Sequence, residues 1–245
     1  MQWSTSRQLL FALGALVIIG ALGAGSFFFF IYEPPSCFDG EKNQDEENID
    51  CGGICDLLCA QPNVSTVWAR SVRVAPGVYH SVALIKNPNT TAQGTIPYEV
   101  SLFDENNILI ARREGSITLL PGDIAPLFEA NVVTGERVPV RTFVDLGVGT
   151  FKRAPREMSP VRVLSFNLNE ESLQLSALIE NQSALPVENI TVSALLFSGD
   201  DLLINASQTS VPSLGGRERK ELVFTWQEQF TETLTRIDIL PRIAP

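Results

Sequence analysis

The sequence is almost without histidine: His80 is the only one among 245 residues, alongside two methionines, three tyrosines and three tryptophans. A single imidazole excludes histidine-based relays and multi-histidine metal centres, which need partners of their own kind. Basic residues are outnumbered, with 18 Lys+Arg against 28 Asp+Glu and a net charge of −10. A chain with that balance lacks the cationic face that phosphate backbones require, so nucleic acid is not an expected partner. No G-x-S-x-G, phosphate-binding glycine loop or dinucleotide fingerprint occurs. Acid pairs such as Asp104/Glu105 and Asp200/Asp201 fall in turn-like clusters instead of a shared cleft. Catalysis is therefore not expected. With 44% hydrophobic residues the chain is too apolar to be disordered and long enough for one large domain or two small ones.

Charge is also missing locally. From Leu9 to Tyr32 no charged residue interrupts LLFALGALVIIGALGAGSFFFFIY. As a helix this stretch would cover roughly 36 Å, against a hydrocarbon core of about 30 Å. It reads as a membrane anchor in contact with lipid through residues 9–32. A cleaved signal peptide is the competing reading, although a mature end beginning in Phe27–Phe30 suits a soluble protein poorly. Arg7 precedes the span and Glu33 follows it. The positive-inside rule then places residues 1–8 in the cytoplasm and the rest outside, with Trp3 and Tyr32 as candidate interface anchors.

Cysteine is scarce but concentrated. Cys37, Cys51, Cys55 and Cys59 all lie in an acidic segment, residues 33–65, which opens on Pro34-Pro35. Residues 33–59 carry eight acids against Lys42 alone, so most of the net charge resides there. Outside the membrane an even number of clustered cysteines forms disulfides, and four allow three pairings. The segment has few apolar residues, so crosslinks take the place of a core. Two further ligand chemistries are open: four thiolates for zinc, against which the 13-3-3 gaps speak, and calcium on Asp39, Asn43, Asp45, Glu46 and Asp50. The calcium-loop pattern D-x-[DN]-x-[DN]-G is absent. A solvated acidic loop with no cofactor is the simpler expectation.

The pattern Cys37-x-Asp39-Gly40-x-x-Asn43-x-x-Glu46-x-x-x-Asp50-Cys51-Gly52-Gly53-x-Cys55 resembles short cysteine-rich segments of prokaryotic surface and secreted proteins, with Gln44 where that pattern has glycine. The resemblance implies an extracellular spacer and disulfides, and no activity.

The remainder is a unit written twice. An ungapped shift of 94 residues carries 67–146 onto 161–240, so that Ala83–Asn87 falls on Ala177–Asn181, Leu102-Phe103 on Leu196-Phe197, and Leu146 on Leu240. Tyr98–Leu102 alternates apolar and polar, the period of a strand with one buried face. Asp104–Asn107 and Ser198–Asp201 are turn clusters at matching positions. Short strands with turns every 8–12 residues predict an all-β fold: two tandem immunoglobulin-like sandwiches of about seven strands at 66–148 and 160–245, preceded by one transmembrane helix and a small disulfide-rich segment. Between them, 149–159 (GTFKRAPREMS) reads as a solvated, semi-stiff linker. The first unit, through Lys86–Asn89, Val100–Asp104 and Pro121-Gly122, resembles the FxLYD type of extracytoplasmic domain and related immunoglobulin-like sandwiches. That likeness implies the fold and a surface setting; a protein or glycan partner is expected for the β domains. His80, in the alternating Val78–Val82, is expected to be a packing or surface residue. Sequons occur at Asn63, Asn89, Asn181, Asn189 and Asn205. The expected function is a non-catalytic, single-pass structural or interaction protein. The alternatives are an accessory subunit of an envelope assembly and a calcium- or ligand-sensing module.

Overall fold

A computed structural model describes residues 2–30, 36–43, 45–156, 158–230 and 232–243, and the side chains of 7–27, 29 and the later residues within those ranges. The chain divides into two compact units, Met1–Cys55 and Asp56–Pro245.

The first unit contains the helix α1, Gln2–Phe30, followed by the acidic loop. The uncharged run produces the helix as expected. Its last two residues, Ile31 and Tyr32, the Pro34-Pro35 pair and the Trp3 side chain lie outside the described residues.

The second unit is built from antiparallel strands. The first sandwich pairs β1 (Ser65–Ala75), β2 (Val78–Lys86) and β5 (Ile124–Val133) in one sheet, in the order β1-β2-β5. The facing sheet is β4-β3-β6, from β3 (Ala92–Phe103), β4 (Leu109–Leu119) and β6 (Arg141–Leu146), with β7 (Thr150–Arg153) also on β3. The second sandwich repeats that order. β8 (Val161–Asn169), β9 (Gln174–Asn181) and β12 (Arg219–Thr225) form β12-β9-β8. β10 (Val187–Ser198), β11 (Leu203–Leu214) and β13 (Leu234–Ile243) form β11-β10-β13.

Ladder registers refine the 94-residue offset. It holds from β2 to β4: the bulge at Leu102/Phe103 recurs at Leu196/Phe197. Ser65 pairs with Lys86 as Arg162 pairs with Glu180, so the first strands are offset by 97 residues. Tyr98 pairs with Leu146 as Val192 pairs with Pro241, so Leu146 corresponds to Pro241 and not to Leu240. Loops absorb these insertions, which an ungapped comparison cannot follow. The strands are mostly longer than expected, and among the described residues the second sandwich has six where seven were anticipated.

Two other expectations are corrected. The linker at 149–159 is partly a strand: β7 pairs with Ala92–Thr95, and Phe151 is only 2% exposed. The acidic spacer ends before 65, because Asp56–Leu58 runs along β7. The Leu58 amide donates to the Phe151 carbonyl at 2.8 Å, and the Arg153 amide to the Asp56 carbonyl at 2.7 Å. A four-residue strand following Gly149 is too short to display alternation, and backbone pairing leaves no side-chain signature.

Three cores hold the unit together. The first packs Ile85, Ile96, Val100, Leu102, Leu119 and Phe151 between the sheets of the first sandwich. The second does the same with Leu175, Ile179, Ile190, Val192, Leu196 and Phe224. A third joins the sandwiches: Val72 and Val82 from the β1-β2-β5 sheet meet Leu195, Phe197, Leu203 and Ala206 from the β11-β10-β13 sheet. β2 and β10 can serve two cores because neighbouring side chains point to opposite faces. Thus Leu196 enters the second core while Leu195 and Phe197 enter the shared one. The linker is pinned accordingly, by the Ala154 amide on the Thr91 carbonyl and the Gln182 amide on the Pro160 carbonyl.

Candidate functional site

Within the first unit, the acidic loop has no apolar interior. Among its described residues Glu46, Cys51, Gly52 and Cys55 are buried, whereas Phe38, Ile49 and Ile54 are exposed. The crosslink Cys37–Cys55 closes it, and Cys51 and Cys59 are also disulfide-bonded. No free thiolate is therefore present for zinc, and the grouping of Cys37, Glu46 and Cys55 contains a formed disulfide instead of ligands.

Three of the carboxylates expected to hold calcium, Asp39, Glu46 and Asp50, accept hydrogen bonds from the loop's own amides. Asp39 accepts the Ser36 amide on Oδ2 at 2.9 Å and the Glu41 amide on Oδ1 at 2.9 Å; the Asn43 side-chain amide donates to Oδ2 at 2.8 Å. The Ser36 amide contributes most to holding the Asp39 carboxyl below its ordinary pKa, followed by Asn43. Asp50 accepts the Asp39 and Gly40 amides on Oδ1 at 3.1 and 3.2 Å. Glu46 Oε2 accepts those of Asn43 and Asp50 at 3.2 and 3.3 Å. In a segment with no ladder to satisfy its amides, side-chain oxygens do so. Gly53 belongs to the same frame. It has φ +53°, and a Cβ there would lie 1.8 Å from the Asp45 carbonyl oxygen. The D-G, N, E and D-C-G-G residues thus take part in the loop's own hydrogen-bonded frame. Asp45 has φ 63° and is exposed, and Asn43 Oδ1 is enclosed without a donor among the described residues.

In the second unit, matched asparagines do analogous work. Asn87 is 1% exposed, and its Nδ2 donates to the carbonyls of Ala92 and Leu120 at 2.8 and 2.9 Å. Asn181, at 0% exposure, donates to those of Leu185, Leu214 and Gly215. Its sequon is enclosed by the fold. The turn clusters are likewise equivalent. The Asp104 amide bonds to the Ile108 carbonyl as Ser198 does to Leu202, and Asn107 and Asp201 both take positive φ.

No family model matches this sequence, and no curated protein does. Among solved structures it is similar to CBD12 from CALX1.2, at 10% identity and TM-score 0.24, over 68% of this chain and 75% of that one. It is also similar to red sea bream transglutaminase, at 11% identity and TM-score 0.24, over 77% of this chain and 29% of that one. No activity is carried over from either.

His80 lies against the shared core as a packing residue. Its ring sits 5.0 Å from Phe128, and Nδ1 accepts the Asn131 amide at 3.1 Å. Burial lowers its pKa. The neutral imidazole is thus favoured by folding, and its contribution is complete above the unfolded value of about 6.5. As pH falls through that value the unfolded chain binds the proton first, and stability declines until the folded His80 also protonates. Unfolding midpoints measured from pH 7.5 to 5 are expected to fall in wild type, and to fall less in His80→Gln. Glu180, held low by Arg219, loses its contribution only in the more acidic carboxylate range.

Proposed function

We propose that the chain is a single-pass membrane protein whose cytoplasmic N-terminus is followed by an extracytoplasmic, non-catalytic module of two β-sandwiches. In this reading the module arose by duplication and serves structural or adhesive contacts with protein or glycan. The observation that carries it is Arg7–Phe27: 21 residues of mean hydropathy 2.2, none of them buried. A helix with that composition and no protein cover requires lipid or removal. Oxidised cysteines support an extracytoplasmic setting, since the cytosol keeps thiols reduced.

Membranes from expressing cells extracted with alkaline carbonate test this reading. The full-length chain of 26.8 kDa is expected to remain in the pellet. After reduction of intact cells, an impermeant maleimide should label it. A shortened, extractable product would establish a cleaved signal instead. Labelling only after lysis would reverse the orientation.

A further inference from the structure

Sheet edges expose unpaired backbone groups, and proteins guard them with charge or proline. Here β1 has Arg70 and Arg73, β4 has Arg112–Glu114, and β6 has Arg141 and Asp145. β12 opens on Arg219–Glu221, while β5, β11 and β13 contain Pro126, Pro212 and Pro241. β7 has Lys152 and Arg153 and is paired by Asp56–Leu58. β8, VRVLSFNLN, is the exception: it has no proline and only Arg162. It forms one edge of its sheet, and its bulge at Val163/Ser165 leaves Ser165–Asn169 as regular strand. Leu164 and Phe166 are 41% and 50% exposed, and a groove of about 420 Å³ opens between Val163–Phe166 and Ile239.

We propose that β8 is an interface with β8 of a second copy of this chain, paired antiparallel about a two-fold axis at Phe166. The charges select this occupant. β8 carries a cation at its start, and two exposed acids, Glu170 and Glu171, follow its end. No ion pair involves these three among the described residues. Under a two-fold axis at Phe166, with Leu164 bulged out of register, Arg162 of each copy stands opposite Asn169 of the other and next to Glu170, and the two Phe166 side chains meet beside the groove. Such an isologous contact closes after two copies and removes the unguarded edge. Opposite charges and aromatic pairs across strands both favour the register. The inference concerns the second sandwich and does not rest on the membrane reading.

The test uses the full chain in mild detergent. The native cysteines are all oxidised, so one added thiol reports cleanly. Opposed strand residues lie within disulfide reach. Phe166→Cys is expected to form a covalent dimer under mild oxidation, whereas Val223→Cys, exposed on the opposite edge strand, should not. Light scattering should show a dimer for wild type, a monomer for Arg162→Glu, and a dimer again for Arg162→Glu/Glu170→Arg. These exposed charge variants carry the test should Phe166→Cys misfold. Monomeric wild type, equal crosslinking at Val223, or an adduct with a different protein would overturn the proposal. So would a dimer that survives Arg162→Glu and is lost in Gly20→Leu, which would locate the contact in α1.

Discussion

Asn181→Ala is expected to destabilise the β-sandwich unit by about 3–5 kcal/mol, from the penalty of about 1–3 kcal/mol for each buried polar group left unsatisfied. The two Nδ2 protons serve three carbonyls, those of Leu185, Leu214 and Gly215, while Oδ1 accepts the Ser183 amide at 2.9 Å. One side chain therefore fastens the β9–β10 connection to the end of β11. Alanine removes all of these bonds and leaves the buried Leu214 carbonyl without its donor. Asn181→Asp should be comparably harmful, because a carboxylate has no proton to give those oxygens. Asn87→Ala, which abandons two carbonyls, should cost less. Asn205→Ala serves as control: its Oδ1 accepts only the neighbouring Ala206 amide. Guanidinium unfolding of the full chain in mild detergent, followed by tryptophan fluorescence, measures the series. An Asn181→Ala midpoint equal to that of Asn205→Ala would refute the clamp.

This asparagine shows where the sequence is readable. Asn87 and Asn181 stand out as a repeated residue, and the turns at Asp104–Asn107 and Ser198–Asp201 reappear as the same hydrogen-bonded reversals. Alternation in Tyr98–Leu102 marks β3 because only one face of that stretch is apolar. What composition hides is which oxygen a donor has already taken. That Asp39, Glu46 and Asp50 each accept amides of their own loop cannot be read from the residue types. The unguarded β8 edge needs the sheet order before the absence of charge acquires meaning. The shared core is hidden for a related reason. Ala194-Leu195-Leu196-Phe197 is apolar at every position, so it announces a doubly covered strand without naming what covers the second face.

That second face leads to the other large effect. Phe197→Ala is expected to cost about 3–5 kcal/mol, the usual range for deleting a buried aromatic ring. The ring is 2% exposed, meets Trp68 edge-on at 6.1 Å, and has the Arg236 guanidinium 4.0 Å from its centroid. Its contacts with Val72 and Val82 cross between the sandwiches, and it belongs to neither internal core. The deletion should therefore weaken coupling between the sandwiches more than either sandwich alone. Leu196→Ala is the matched comparison, one residue away but inside the second core, with an expected cost of about 2–5 kcal/mol. Calorimetry of the full chain should give one transition for wild type, because a shared core makes the sandwiches melt together. Phe197→Ala should separate it into two. Leu196→Ala should lower the second sandwich and pull the first down with it, leaving a single transition. If both variants melt in one step, coupling must come mainly from other contacts between the sandwiches, such as Arg242, which bonds to the Thr118 carbonyl and pairs with Asp123 at 3.4 Å, and the Arg73–Glu228 pair at 3.3 Å. Splitting in Phe197→Ala alone would assign it to the apolar seam.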